Sequence, residues 1–287
     1  MFDPVIELNE KTKAIAALID DFLLHGHVEV PVLPTVVSKI ITASKNSATD
    51  ARRLAAVLQS DQAVAAHIMK IANSPIYSYG GPLVSLQQAI ARLGLTMISG
   101  AAVSFSVNAK MFEAPGYEAE IAEIGQHSLA TALWSKEIAR VCRKNVEAVF
   151  LCGLLHSIGR PTSLEKIVQV SGESGDGVSR EECLGLVEQF QQKFGLHIVD
   201  EWKMPTLVCN VVKHFCDFEK AGDAKETTAI VITASKFATA MLTPDLVSKD
   251  ELMNLETLET INLYPDQIES LIENFEEIKI SMEMICS

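Results

Sequence analysis

The sequence predicts an all-α protein, and three observations carry that prediction. Apolar residues recur at spacings of three and four through almost every segment. No stretch alternates apolar and polar residues convincingly, as a half-buried strand would. Helix punctuation falls between the periodic segments, with Asn, Ser and Asp before them and Gly or Pro after them.

In chain order, residues 4–24 place Val5, Leu8, Ile15, Leu18, Ile19 and Phe22 at helical spacing, and His25-Gly26-His27 breaks the pattern. Residues 34–44 form a second helix with Pro34 in its first turn, where a missing N–H costs nothing. After a turn at 46–50 come helices at 51–59 and 61–72, the latter ended by Asn73-Ser74-Pro75. A Gly-Pro loop occupies 76–84. Ser85 with Gln88 opens a helix that Gly94 closes. Residues 95–112 are an apolar helix in which Gly100, Ala101 and Ala102 allow close packing. Ala114-Pro115-Gly116 marks a lobe boundary.

The second half continues with a long helix at 118–143. Residues 146–158 (VEAVFLCGLLHSI) are so apolar that this helix belongs at the centre of the core. No element is assigned to 159–170, and 171–178 (SGESGDGV) reads as a loop. Ser179 and Glu182 form a second capping box. Helices at 181–194, 198–203, 206–219, 226–242, 248–261 and 265–285 complete the chain. The organisation expected is an N-terminal lobe at 1–115, a second lobe at 116–240 and an acidic extension at 241–287.

Composition narrows the function. The chain of 287 residues has a net charge of −13, and 48% of its residues are hydrophobic. That is ample for a core and excludes a disordered chain. The acid is unevenly placed: residues 1–110 carry a net +1, whereas 241–287 carry −9. Such a surface repels phosphate backbones, so nucleic acid is not the expected partner. Its acidic end is either a solvated face or a docking surface for a basic partner. No run of apolar residues is long enough to span a bilayer, and the N-terminus lacks the basic start of a signal peptide, so a cytoplasmic protein without a membrane partner is expected. The six cysteines show no CxxC pair and read as buried, inert thiols. There is no phosphate loop, no GxGxxG and no GxSxG.

The chemistry that remains rests on histidine. His25 and His27 lie in a polar turn, and His67 has no chelating partner one turn away. His127, His156, His197 and His214 each sit on or beside an apolar helix in the second half. None is paired by HxxxH or HExxH spacing, so each taken singly reads first as a satisfied core histidine.

A resemblance organises these four. Gly153-Leu154-Leu155-His156-Ser157-Ile158-Gly159 is similar to the "GLLHDIG" helix of the HD superfamily of metal-dependent phosphohydrolases. His127 to Ala132 resembles the helix that supplies that family's first histidine. Gly195-Leu196-His197, Trp202 and Pro205 resemble the "GxxH…W…P" stretch of the HDOD branch. Leu33-Pro34, Asp61, Ile71-Ala72-Asn73-Ser74 and the run Ser85 to Gly94 follow the HDOD pattern of the N-terminal half, which plain HD hydrolases lack. The resemblance extends over about residues 30–237. It implies an HD-like helical bundle with an N-terminal helical lobe, and a role in bacterial signal transduction.

The resemblance also implies a metal-ligand set of which His127, His156, His197 and His214 are the surviving members. The departures are as informative. The aspartate of the HD dyad is replaced by Ser157, the second of two adjacent histidines by Phe215, and the late carboxylate falls near Ala234-Ser235. A two-metal hydrolytic centre needs carboxylate charge to clamp its ions, and four neutral imidazoles do not supply it. The expectation is a vestigial cluster in a non-enzymatic scaffold, acting on a protein partner of a signalling pathway or a small ligand and needing no cofactor. The alternative is a divergent metal-dependent phosphohydrolase acting on a nucleotide or cyclic dinucleotide. A single divalent metal on the remaining imidazoles stays open, as does a small-ligand sensor whose pocket is widened by Ser157 and Ser235. The Gly80-Gly81-Pro82 loop and the acidic C-terminal helices are the expected contact surfaces.

Overall fold

The computed structural model describes residues 9–25, 31, 38–39, 51–74, 77, 81–94, 97–98, 100–102, 112–174 and 177–286. Among them every regular element is a helix. The N-terminal half contributes α1 (Glu10–Leu24), α2 (Ala51–Leu58), α3 (Gln62–Ala72) and α4 (Leu86–Leu93). The second half contributes α5 (Glu118–Val141), α6 (Val146–Leu155), α7 (Gly159–Ser174), α8 (Arg180–Glu201) and α9 (Thr206–His214), then a 3-10 turn at Phe218–Ala224 and α10 (Lys225–Leu242). The chain closes with α11 (Lys249–Met253), α12 (Leu258–Ile261), α13 (Pro265–Glu273) and α14 (Phe275–Cys286). The helix expected at 34–44 lies almost wholly outside the described residues. Of the one expected at 95–112, residues 97–98 and 100–102 are helical, and Val103, Phe105 and Val107 lie outside.

Capping follows the sequence. Ser85 accepts from the Gln88 N–H, and the Gln88 side chain reaches the Val84 N–H at 3.1 Å. Gly94, at φ 79°, donates its N–H to the Ile90 carbonyl and ends α4. The Ser179–Glu182 capping box starts α8. A third box, Ser248–Glu251, starts α11.

Several segments differ from the sequence reading, among them 248–261 and 265–285, each expected as one helix and each divided in two, as α11 with α12 and as α13 with α14. The two helices expected at 181–194 and 198–203 are one continuous α8, because Gly195 serves packing and not termination. The loop expected from 171 begins later, since α7 continues through Ser174. The helix expected at 206–219 stops at His214, which leaves Cys216 exposed in the following turn; Cys152 and Cys183 are buried as expected.

The main core runs from Leu54 of α2 to Ile285 of α14 and includes the helices of the acidic C-terminal segment. At its centre the Trp134 ring of α5 lies 5.2 Å from Phe237 of α10 and 5.2 Å from Phe275 of α14. A smaller cluster joins α1 to α7 and α8 through Ile15, Ile19, Leu164, Phe190 and Phe194. So α1, although first in the chain, packs on the second half.

Several motif residues act as clamps. Asn73 holds the loop after α3 as a strand partner would: its side chain donates to the Leu83 carbonyl at 3.0 Å and accepts from the Leu83 N–H at 2.6 Å. Arg92 donates to the carbonyl of Gly81, whose φ of 96° suits glycine. The Trp202 indole N–H donates to the Pro31 carbonyl at 3.0 Å and so ties the N-terminal half to the end of α8.

The glycines of the α6–α7 motif serve close approach. A Cβ at Gly153 would lie 2.4 Å from Ser135 Oγ and 2.9 Å from Ala132 Cα, so α6 lies directly on α5. A Cβ at Gly159 would lie 1.8 Å from the Gln191 carbonyl oxygen and 2.5 Å from the Gly195 nitrogen, which brings the start of α7 onto the middle of α8. A Cβ at Gly100 would lie 2.0 Å from the Phe150 ring, the contact through which the apolar segment near residue 100 meets α6.

Candidate functional site

Helices α5, α6 and α10 bring the histidine site together. Antiparallel packing of α5 and α10 is set by the His127–Thr239 contact at one end and by the Lys144–Glu226 ion pair at the other. The chain then turns at His156, Ser157 and Ile158, between α6 and α7, so His156 points back into the space beside His127. Their ring centroids are 6.1 Å apart.

Hydrogen bonding fixes the protonation pattern of both rings. Thr239 Oγ1 donates its one proton to the Ser235 carbonyl at 2.9 Å, so it accepts from His127, and the 3.1 Å contact is an Nε2–H donation. His156 donates from Nδ1 to the Gly153 carbonyl at 2.7 Å. Each imidazole therefore keeps one lone pair, at Nδ1 of His127 and at Nε2 of His156. Both rings are neutral at physiological pH. Burial, reinforced by the nearby Arg160 charge, lowers His127 to about 4. Burial, with the neighbouring His127 next in weight, lowers His156 to about 3. His156 is buried, whereas His127 keeps an edge on a solvent-facing cleft.

The dyad position is filled by a hydroxyl with its own partner. Ser157 Oγ lies 2.8 Å from Ser128 Oγ, and both ends of that bond belong to the protein. Phe215 packs its ring 4.7 Å from the His156 ring centroid. Ala234 and Ser235, near the late-carboxylate position, are buried in α10.

His197, on α8, and His214, at the end of α9, are both half-buried. Among the described residues no three His, Cys, Asp or Glu side chains are placed to hold one metal ion, so these two do not complete a ligand set with the His127–His156 pair. A two-metal centre does not fit residues that offer two lone pairs, a hydroxyl pair and a phenyl ring.

Beside the pair lies a cleft of about 310 Å³, within the range of small-ligand sites. It is formed by two stripes at helical spacing. Glu120, Glu123, Ile124 and His127, with Gln126 beside them, come from the start of α5; Thr239, Leu242, Thr243 and Leu246 come from the end of α10 and the turn after it. Arg160 closes one side. Its guanidinium is held by Gln191 at 2.8 Å and by Glu188 at 2.9 Å. Ser157 and Ser235, expected to widen a pocket, do not line this one. Sequence reasoning missed Thr239 and the two stripes. The one available signal was the i, i+3, i+4, i+7 recurrence in α5, which by itself describes any helix face; Thr243 and Leu246 lie past the end of α10.

Comparison with known proteins places the chain. A Treponema pallidum protein described only as uncharacterized is 20% identical over 218 residues, 72% of this chain; the match spans 41% of that protein, so this chain corresponds to less than half of it. A Shewanella amazonensis structure, provisionally named a metal-dependent phosphohydrolase, shares 20% identity with a TM-score of 0.74, covering 96% of this chain and 100% of that one. A Geobacter sulfurreducens HDOD domain protein of unknown function shares 21% identity with a TM-score of 0.71, covering 95% and 98% of the two chains. At such identities the likeness is one of fold. The HDOD domain profile matches residues 30–217, which contain Asn73, Arg92, Gly153, His156, Gly159, Gly195 and Trp202, and on that match the chain belongs to the HDOD domain family.

Proposed function

We propose that this protein is a non-catalytic signalling module of the HDOD family that acts by binding a protein partner. The observation that carries the proposal is the Ser157–Ser128 hydrogen bond at the dyad position. Where an HD-type reaction needs a carboxylate to bridge and neutralise metal ions, this chain has a hydroxyl pair satisfied within the protein. The filled surroundings support the same reading, because Phe215 packs on His156 and both imidazoles spend their N–H groups on the chain's own oxygens.

Restoring the acid tests how far the site has moved from catalysis. Ser157 is buried, so Ser157→Asp places a carboxyl in the interior beside the Ser128 hydroxyl. Such burial costs on the order of 1–3 kcal/mol and favours the protonated acid. The expected result is a lower melting temperature and no manganese-dependent turnover of cyclic dinucleotides or simple phosphodiesters. Metal-dependent hydrolysis by the wild-type protein, with Ser157 in place, would contradict the proposal.

A further inference from the structure

We propose that α1 is a displaceable strap over a groove between α7 and α8, and that the partner docks there with an amphipathic helix copying the buried face of α1. This rests on the partner-binding reading above and names the surface and the kind of partner. The first observation is how α1 is held. Its buried residues are Thr12, Ile15, Ala16 and Ile19, and half-buried Phe22 and Leu23 continue the same face. The spacing i, i+3, i+4, i+7 is that of a helix laying one stripe into a groove. Of the four buried side chains only Ile15 and Ile19 are large. A 15-residue helix is marginal in water by itself, so α1 stays helical through this stripe.

The second observation is that the groove does not depend on α1. Among the described residues, the apolar cluster joining α1 to α7 and α8 shares no buried residue with the main core. Withdrawal of α1 therefore leaves the main core closed. The walls also hold each other: Gly159 lies against the Gly195 backbone, and Arg160 donates to Gln191 at 2.8 Å and to Glu188 at 2.9 Å. Beyond the groove, Ile198 and Val199 anchor α8 in the main core. An element fastened by few apolar side chains and by exposed polar contacts opens locally before the fold does. What it uncovers is an apolar stripe from each wall, Leu164 and Ile167 on α7 with Phe190 and Phe194 on α8.

Polar contacts fix the direction and charge pattern of the guest. Asn9, the N-cap of α1, donates to Glu182 near the start of α8. At the other end Asp20 pairs with Lys193, and Lys166 of α7 lies 4.3 Å from the Phe22 ring centroid. The guest helix therefore runs parallel to α8, with a donor ahead of its apolar stripe and an acid and an aromatic ring at its end. The Lys193 and Asp20 side chains are 53% and 45% exposed, so their pairing specifies more than it stabilises. The Pro31 carbonyl accepts from Trp202, so a released α1 stays tethered nearby and competes for the groove at high effective concentration.

The test uses the full chain and, as probe, a fluorescein-labelled peptide of residues 9–25 with blocked ends. Hydrogen exchange of the wild type comes first: amides of α1 should exchange about tenfold or more faster than those in the middle of α7 and α8. Peptide binding is then compared by anisotropy between the wild type and the full-length Ile15→Ala/Ile19→Ala chain, whose own α1 is released. The variant should bind about tenfold or more tighter, because its cis competitor is gone. A peptide carrying Ile15→Asp and Ile19→Asp should not bind. Adding Lys193→Glu to the variant should weaken binding severalfold, and Asp20→Lys in the peptide should restore it. Lys193 is exposed, so Lys193→Glu alone should fold normally and speed α1 exchange severalfold, which keeps the inference testable if the double variant does not fold. The inference is overturned if α1 exchanges as slowly as α7 and α8, if a folded double variant does not bind the peptide, if the Asp-bearing peptide binds equally well, or if the charge exchange has no effect. A labelled wild-type chain that binds the variant as tightly as the peptide does would assign the groove to a second copy and overturn the assignment to a partner. Failure here, with hydrolysis still absent, would leave the non-catalytic reading standing; metal-dependent hydrolysis would instead remove the reading on which this inference rests.

Discussion

Gly159→Ala should destabilise the protein by more than about 3 kcal/mol, the upper end of what overpacking ordinarily costs. The added methyl would sit 1.8 Å from the Gln191 carbonyl oxygen and 2.5 Å from the Gly195 nitrogen, and both obstacles are backbone. A flexible side chain could swing away, but a helix can yield only by separating α7 from α8. That separation would open the cluster formed by Leu164, Ile167, Phe190 and Phe194. At roughly 2 °C per kcal/mol for a chain of this size, the melting temperature should fall by about 6 °C or more. Gly172 on the same helix is the control: a Cβ there meets nothing within 4 Å. Gly172→Ala should be neutral or gain up to about 1 kcal/mol from helix propensity. Equal melting temperatures for the two variants would refute the close-approach account.

Acidification should produce the second large effect. An imidazole in the unfolded chain takes up a proton near its ordinary value of 6.5, whereas His127 does so in the fold only near 4 and His156 near 3. Protons therefore bind the unfolded state preferentially between these values. Stability is intact above pH 6.5 and is lost as pH falls toward 4, with a slope of about 1.4 kcal/mol per pH unit for each histidine. Thermal or urea unfolding at pH 7.5 and pH 5 should differ by several kcal/mol. Carboxylates titrate mostly below this window, so the slope belongs chiefly to histidine. His156→Gln should be less stable at pH 7.5 but show a clearly shallower dependence on pH. A wild-type stability that is flat from pH 7.5 to 5 would show that these rings are more hydrated than their packing implies.

Much of the fold was legible in the sequence because its signals are local. Capping at Ser85, Gly94 and Ser179 needs only neighbours three or four positions away, and each cap formed. Gly195 shows the limit of that logic. As a local signal a glycine in a helix reads as a break, yet here α8 continues through it because α7 packs against it. Pro161 and the Gly-Ser run hid α7 in the same way: a proline in the first turn costs the helix no hydrogen bond, and Gly172 faces open space.

The site was legible only in part. The motif around His156 marks a place where helices touch, and Gly153 and Gly159 serve that packing directly. His127 and His156 could be identified as neighbours through the resemblance. The hydroxyl that orients His127 could not, since Thr239 lies 112 positions away. The cleft was hidden for the same reason: its walls meet only once the start of α5 and the end of α10 are side by side.

The central claim, that this protein binds and does not catalyse, is tested most directly by one measurement. The purified wild-type chain is assayed with manganese against a generic phosphodiester and a cyclic dinucleotide, with His156→Ala in parallel. The account predicts that neither protein exceeds the metal-containing buffer blank. Metal-dependent hydrolysis by the wild type, abolished in His156→Ala, would contradict it.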